Sequence, residues 1–219
     1  MTTIAENLQA VKARLAGVKL LAVSKGQPLP RIEQAIAAGQ RAFGENYVQE
    51  AVQKMQALTP SFPSLEWHLI GPLQSNKTRA AAERFDWVQT VASEKIARRL
   101  SERRPAHLAP LNVLIQVNVS REATKSGVTP RDAAALARAI AALPRLKLRG
   151  VMAIPEPGAG RARYGEVRKV YDALKDEFGF DTLSMGMSQD LELALAEGAT
   201  MVRIGTAIFG ARTRERTAA

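Results

Sequence analysis

A lysine near the N-terminus is the first residue of this 219-residue chain whose type and position could do chemistry. Lys25 follows the apolar segment 20–24, and the alternation of a strand would place it on the same side as Leu21 and Val23. An ammonium at the edge of an apolar core loses solvation, which favours the neutral amine, a nucleophile for carbonyl compounds. The alternative is a lysine that caps a strand and reaches water.

Two glycine–hydroxyl segments near the C-terminus could hold an anion. Gly186, Met187 and Ser188 precede a predicted helix, whose first N–H groups and dipole favour negative charge. Gly205 and Thr206 form the second such segment. The alternative is that Ser188 only caps its helix and Gly205 only makes a turn.

Arg203 interrupts the apolar segment 201–204, where a guanidinium needs an acceptor. A ligand heteroatom and a structural salt bridge both satisfy that requirement. A carbonyl-reactive lysine, an anion cradle and an arginine that meet at one place describe a site for a phosphorylated aldehyde. Pyridoxal 5′-phosphate is the cofactor with that chemistry.

The pattern of the sequence supplies elements that could bring these residues together. Short apolar runs alternate with segments of helical period, which is typical of a parallel sheet with crossover helices. The predicted strands are Leu20–Ser24, Arg41–Gly44, Trp67–Gly71, Trp87–Val91, Asn112–Val119, Leu148–Ile154, Thr182–Met185 and Met201–Ile204. The predicted helices are Ile4–Leu15, Pro30–Ala38, Tyr47–Ala57, Asn76–Glu83, Glu94–Arg104, Pro130–Ala142, Arg161–Phe178 and Gln189–Glu197.

Eight strand–helix units in a chain of this length predict a single-domain (β/α)8 TIM barrel of the α/β class with an extra N-terminal helix. The barrel should span residues 4–211, followed by a disordered tail at 212–219. A doubly wound open sheet is the alternative, but it usually has a glycine-rich first turn, and the turn here is Ser24–Pro28. A barrel places its active site at the carboxyl ends of its strands.

Composition narrows the possible functions. The chain has no cysteine, so it has neither disulfides nor a catalytic thiol, and its two histidines cannot form a zinc site alone. The net charge of +10 comes from scattered basic residues, and aromatic residues are only 5%, so nucleic-acid binding is not predicted. The longest uncharged run, 105–120, is too short to span a membrane. With no signal peptide at its start, the chain is expected in the cytoplasm.

Seven strings resemble the pyridoxal phosphate homeostasis protein family, also called the YggS/PROSC family. The resemblance runs from about residue 4 to residue 211 and rests on strings that are long, ordered and correctly spaced. They are Ala22–Lys25, Phe43–Glu50, Trp67–Lys77, Lys125–Gly127, Gly150–Ile154, Ser184–Ser188 and Val202–Gly210.

The resemblance implies a fold type III barrel, similar to the N-terminal domain of alanine racemase but standing alone. It implies that Lys25 forms a Schiff base with pyridoxal phosphate and that Arg203 faces the pyridine nitrogen. Lys125 matches a family lysine to which the sequence assigns no role. The phosphate would be held by Ser188, Gly205, Thr206 and N–H groups near Met187, and the ring would be lined by Asn46, His68 and Met152.

Carrier and enzyme are both compatible with such a site, and the carrier is preferred. A racemase needs a second base opposite the lysine, and Tyr164 and Tyr171 belong to a helix expected outside the barrel. A cationic arginine at the ring nitrogen also weakens the cofactor as an electron sink. We therefore expect a monomer that stores, buffers or delivers the cofactor without robust turnover and contacts cofactor-dependent apoenzymes transiently. The alternative is an amino-acid racemase.

Overall fold

In the computed structural model, which describes residues 2–120 and 126–210, eight parallel strands close into a barrel in chain order. The ring closes where β1 pairs with β8, with Leu21 opposite Arg203. The strands are β1 Lys19–Val23, β2 Ala42–Glu45, β3 Glu66–Leu69, β4 Trp87–Val91, β5 Leu111–Gln116, β6 Leu146–Met152, β7 Thr182–Ser184 and β8 Met201–Ile204. The predicted barrel is confirmed, and the open sheet was the wrong alternative.

Helices surround the barrel. Most follow a strand, α1 precedes β1, and a 3-10 turn at Ser75–Lys77 leads into the fourth helix. The helices are α1 Ile4–Ala13, α2 Leu29–Ala37, α3 Val48–Leu58, α4 Thr78–Arg84, α5 Glu94–Arg103, α6 Ala133–Ala141, α7 Arg161–Phe178, α8 Leu191–Ala196 and α9 Thr206–Phe209.

Local sequence explains several helix ends. Thr3 and Glu6 form a capping box at the start of α1, where each side chain accepts the backbone N–H of the other residue. Gly179 ends α7 in the left-handed conformation with φ 66°, which glycine adopts without a steric penalty. The sequence predicted the bounds of α7 correctly.

Apolar side chains pack on both sides of the strands. The larger core lies between the strands and the helices, as in other parallel barrels. Inside the barrel lie two smaller apolar clusters, one of which contains Trp87, Leu114, Met152 and Met201. The interior also holds polar side chains, and four of them, His68, Gln89, Ser184 and Arg203, are buried.

Some predicted boundaries were wrong for identifiable reasons. α6 begins at Ala133 rather than Pro130, because the Thr129 hydroxyl and the Asp132 side chain bond to each other in a preceding turn. Ser188 does not cap α8, which begins at Leu191 after Asp190. The short α9 was not predicted. Residues 212–219 lie outside the described part of the chain, so the predicted tail and the domain limit at 211 stay predictions. Among the described helices, none is long and apolar enough to cross a membrane.

Candidate functional site

A cavity of about 860 Å³ opens at the carboxyl ends of the strands. It is the place where a barrel of this kind carries its active site. Most of the residues that the sequence singled out meet there: the cavity is lined by Lys25, Asn46, Met187, Ser188, Arg203, Gly205 and Thr206.

Lys25 is half-buried and is the only lysine among the described residues that lines this cavity. A cluster of charged side chains bonds to the backbone around Lys25; this cluster, which we call the Lys54 clamp, consists of the buried Lys54 and Glu45 and the partly exposed Glu50. The Lys54 ammonium donates to the Ser24 carbonyl oxygen at 2.7 Å, to Glu45 Oε1 at 2.8 Å and to Glu50 Oε1 at 2.6 Å.

The clamp holds the backbone on both sides of Lys25. The Ser24 hydroxyl donates to Glu45 Oε1 at 2.6 Å, and the Gly26 N–H donates to Glu50 Oε1 at 2.6 Å. Burial raises the pKa of Glu45, although the Lys54 charge opposes that shift. Sequence reasoning missed this cluster; its signal was the Glu50–Lys54 pair, four residues apart on one helix.

Arg203 reaches the cavity from inside the barrel and is 3% exposed. Its guanidinium donates to Ser184 Oγ at 2.7 Å and to the Ala153 carbonyl oxygen at 2.9 Å. Burial lowers the pKa of Arg203 to about 10, with Asp190 and Tyr164 opposing the shift. The side chain therefore stays cationic at neutral pH and points in a fixed direction.

Tyr164 corrects an expectation from the sequence. Its helix does lie outside the barrel, but the side chain is 1% exposed and lines the cavity. The hydroxyl donates to Asp190 Oδ2, and the other oxygen of Asp190 accepts the N–H of Met187. Burial, reinforced by the bond to Asp190, raises the pKa of Tyr164. Tyr164 thus enters the cavity as a neutral phenol that is bonded to the loop before α8.

Two glycines allow the candidate anion-binding loops to approach their neighbours closely. Gly186 has φ +95°, and a Cβ there would lie 2.4 Å from the Cβ of Ala194 in α8. A Cβ on Gly205 would lie 3.2 Å from the Val23 carbonyl oxygen, just before Lys25. Glycine at these positions lets the Ser188 and Thr206 segments converge on the lysine.

His68 and Met152 are not among the residues that line the cavity, and their contact with a bound ring stays a prediction. Both are fully buried inside the barrel. Met152 packs in the interior cluster around Trp87, and His68 stacks on the Trp87 ring with centroids 5.1 Å apart. In the strand register Met152 lies opposite Ser184, the residue to which Arg203 donates. Lys125 lies outside the described residues.

The donors present fit a phosphorylated aldehyde. Lys25 offers an amine and Arg203 a fixed cation, while Ser188 and Thr206 offer hydroxyls. The chemistry is that of an amine that can attack a carbonyl and of donors that can hold a dianion. Within residues 2–120 and 126–210 there is no group of three His, Asp or Glu side chains that could hold a metal ion.

Comparison with known proteins finds close relatives. The sequence matches the family described as alanine racemase, N-terminal domain, over residues 1–213. A pyridoxal phosphate homeostasis protein of Pseudomonas aeruginosa is 57% identical, with 97% of each chain covered. The protein of the same name from Escherichia coli K12 is 51% identical, over 97% of this chain and 98% of the relative.

Solved structures agree with the sequence comparisons. PipY of Synechococcus elongatus with pyridoxal phosphate bound is 39% identical, with a TM-score of 0.86 over 95% of this chain and 100% of that chain. Alanine racemase of Clostridium difficile has a TM-score of 0.79 at 14% identity and covers 97% of this chain but only 58% of its own. The second likeness concerns the fold alone.

Proposed function

The chain belongs to the pyridoxal phosphate homeostasis protein family, and we propose that it binds pyridoxal 5′-phosphate covalently at Lys25 as an intracellular carrier. In this role it would store, buffer or deliver the cofactor in vitamin B6 homeostasis. The observation that carries the proposal is that Lys25, Arg203 and the two glycine–hydroxyl loops line one cavity.

Each side chain has a separate task in this proposal. When bound, the cofactor would supply an aldehyde that can form a Schiff base with an amine, with loss of one water. Lys25 provides that amine, and the Lys54 clamp fixes the backbone from which it extends. Ser188 and Thr206 bind the phosphate. Arg203 would face the ring nitrogen and, because it is cationic at neutral pH, would keep that nitrogen unprotonated.

The same geometry favours a carrier over a racemase. Tyr164 is the one tyrosine among the described residues that lines the cavity, which is the specific observation in favour of the racemase. Its hydroxyl, however, is bonded to Asp190 and its pKa is raised, so it is poorly suited to take a proton from a substrate. A cofactor ring whose nitrogen faces the Arg203 cation also withdraws electrons weakly, which disfavours racemisation.

Delivery to apoenzymes would use the cavity mouth. Three large apolar side chains are exposed in the described part of the chain: Tyr47, Ile154 and Met187. Ile154 and Met187 line the cavity, and Tyr47 follows the lining residue Asn46. These side chains support transient contact with a recipient enzyme. We also propose that the protein acts in the cytoplasm as a monomer, as the sequence predicts.

The test is a comparison of the wild type with Lys25→Ala after addition of pyridoxal phosphate. The wild type should develop a visible absorption band, and borohydride should fix a cofactor adduct that peptide mass mapping locates on Lys25. Lys95→Ala, which removes an exposed lysine of α5, should behave as the wild type. An unchanged band in Lys25→Ala, or no adduct in the wild type, would refute the proposal.

A second assay separates carrier from racemase. The loaded protein is incubated with each proteinogenic L-amino acid, and the D-enantiomer is measured by chiral chromatography. The carrier hypothesis predicts no turnover above that of free cofactor. Turnover that disappears in Tyr164→Phe would establish the racemase instead.

A further inference from the structure

Polar side chains cross the interior of the barrel from the cavity to its opposite end. Glu66 begins β3 at the amino end of the barrel, whereas Arg203 reaches the cavity at the carboxyl end. Between them lie Ser184, Gln89 and His68, which are all 0% exposed. We call these five residues the interior chain. The route uses four different strands, β3, β4, β7 and β8.

Hydrogen bonds connect every step of the interior chain. Arg203 donates to Ser184 Oγ at 2.7 Å, and Ser184 donates to Gln89 Oε1 at 2.7 Å. Gln89 Nε2 lies 2.9 Å from His68 Nδ1, and His68 Nε2 contacts Glu66 Oε1.

All of these bonds run in one direction. An amide nitrogen can only donate, so His68 Nδ1 must accept from Gln89 and the imidazole proton must sit on Nε2, facing the carboxylate of Glu66. The donors therefore follow one another from the Arg203 cation to the Glu66 anion. Lys19 closes the outer end by donating to the same carboxylate oxygen at 2.5 Å.

The order of donors and acceptors explains how the buried positive charge of Arg203 is compensated. A buried guanidinium needs compensation, yet both of its hydrogen bonds go to neutral oxygens, on Ser184 and Ala153. Hydrogen bonds in series polarise one another, so the interior chain transmits the stabilising effect of the Glu66 negative charge to the Arg203 guanidinium. Burial lowers the pKa of His68 to about 4, against the bond to Glu66, so His68 is the neutral ring that this direction requires.

We propose that Gln89 and Ser184 are positioning residues that aim Arg203 into the cavity, and that the Glu66–His68 pair at the far end of the barrel sets their orientation. The inference rests on the proposed function, because Arg203 is the group that would face the cofactor ring. If Gln89 flipped, its nitrogen would face Ser184 and its oxygen would face His68 Nδ1, where two acceptors would meet. The Glu66–His68 pair thus selects one of two amide orientations.

The first test determines the direction of the hydrogen bonds in the interior chain and needs no ligand. The protein has two histidines, and His107 is exposed, so the nitrogen NMR spectrum of a histidine-labelled sample contains one buried and one exposed ring. The buried ring should be neutral with its proton on Nε2 at pH 7. Gln89→Glu should convert it to the doubly protonated form, because a carboxylate at 89 demands a proton on Nδ1. A wild-type ring with its proton on Nδ1 would overturn the proposal.

The second test reads the positioning of Arg203 by a double-mutant cycle. The probe is pyridoxine 5′-phosphate, which has the ring and phosphate but no aldehyde and so does not depend on the Lys25 amine. Gln89→Leu and Glu66→Ala should each weaken its binding about tenfold, the equivalent of about 1.4 kcal/mol. The double variant should bind no more weakly than Gln89→Leu, because both substitutions interrupt the hydrogen bonds of the interior chain.

Two matched variants control for stability. Thr90 lies on the same strand as Gln89 but does not belong to the interior chain, and its buried hydroxyl donates to the Gly71 carbonyl oxygen. Thr90→Val removes this bond and should bind the probe as the wild type does. Glu66→Gln keeps an acceptor for His68 and should bind more tightly than Glu66→Ala. Additive losses, or an equal loss in Thr90→Val, would overturn this inference alone. A wild type that borohydride does not fix to the cofactor at Lys25 would instead refute the proposed function.

Discussion

At the scale of single residues, Tyr164 shows how a side chain from an outer helix acts on the cavity. Its hydroxyl bonds to Asp190, which in turn accepts the N–H of Met187 in the proposed phosphate loop. A side chain that orders this loop should affect a ligand with a phosphate more than one without.

We therefore predict that Tyr164→Phe weakens binding of pyridoxal phosphate but hardly changes binding of pyridoxal. The lost hydrogen bond corresponds to about 1 kcal/mol, or roughly fivefold in affinity. Equilibrium titration with both ligands measures the difference. Tyr171→Phe is the matched control, because Tyr171 lies on the same helix and bonds to the Phe180 carbonyl oxygen away from the cavity. Equal losses for both ligands would show that Tyr164 has only a general structural role.

Lys54 leads to a second prediction at this scale. Lys54→Met should slow condensation of Lys25 with pyridoxal phosphate about tenfold or more, because small displacements of a reacting group are costly. Stopped-flow absorbance measures the rate, and binding of pyridoxine 5′-phosphate should be unchanged. Glu50→Gln, which keeps an acceptor for the Gly26 N–H, should react faster than Glu50→Ala.

Arg104→Met is the control for the loss of a buried cation. Arg104 is 5% exposed and bonds to the carbonyl oxygens of Ala82, Phe85 and Ala109, remote from Lys25. It should lower the melting temperature without slowing condensation. If it slows the reaction as much as Lys54→Met does, the clamp has no specific effect on Lys25.

At the scale of elements, the loop between β7 and α8 depends on a glycine. Gly186→Ala should lower the free energy of unfolding by about 2 kcal/mol or more, because the left-handed backbone and the contact with Ala194 both penalise a Cβ. Gly17→Ala is the matched control: Gly17 has φ +89° but nothing within 4 Å of the added Cβ, so only the backbone strain remains. Chemical denaturation of both variants measures the difference. A loss in Gly17→Ala as large as in Gly186→Ala would mean that the contact with α8 is unimportant.

The elements also show what the sequence could predict. Hydrophobic periodicity identified eight strands, position after a strand identified Lys25, and the interruption of an apolar segment identified Arg203, because all three signals are local. The depth of a side chain inside the barrel is not local: it depends on the register between strands, so the sequence could not show that His68 and Met152 are fully buried in the interior. Tyr164 was missed for a related reason, since the tilt of α7 against the barrel decides whether its first turn reaches the cavity.

At the scale of the whole molecule, the interior chain links stability to pH through two groups whose pKa values fall on folding. Burial lowers the pKa of His68 from 6.5 to about 4. Burial alone would raise the pKa of Glu66, but hydrogen bonds and charge from His68 and Lys19 lower it from 4.5 to about 2. In both cases the unfolded chain takes up a proton at a higher pH than the folded one.

Acid should therefore destabilise the protein in two successive windows. Between pH 6.5 and 4 the unfolded chain protonates its histidine while folded His68 stays neutral, so each unit of pH costs up to about 1.4 kcal/mol. Between pH 4.5 and 2 the same argument applies to Glu66, whose carboxylate is retained only in the folded state. Urea denaturation at pH 7, 6, 5 and 4.5 should show a steady fall in the free energy of unfolding.

The first window can be assigned to one residue. His68→Gln removes the titrating ring, so the fall between pH 6.5 and 4.5 should be smaller than in the wild type, even though the variant is less stable at pH 7. His107→Gln, at an exposed position, should keep the wild-type slope. A slope that is the same in His68→Gln and the wild type would mean that the proton is taken up elsewhere. It would also weaken the view that a neutral imidazole inside the barrel is required for the native arrangement of Arg203.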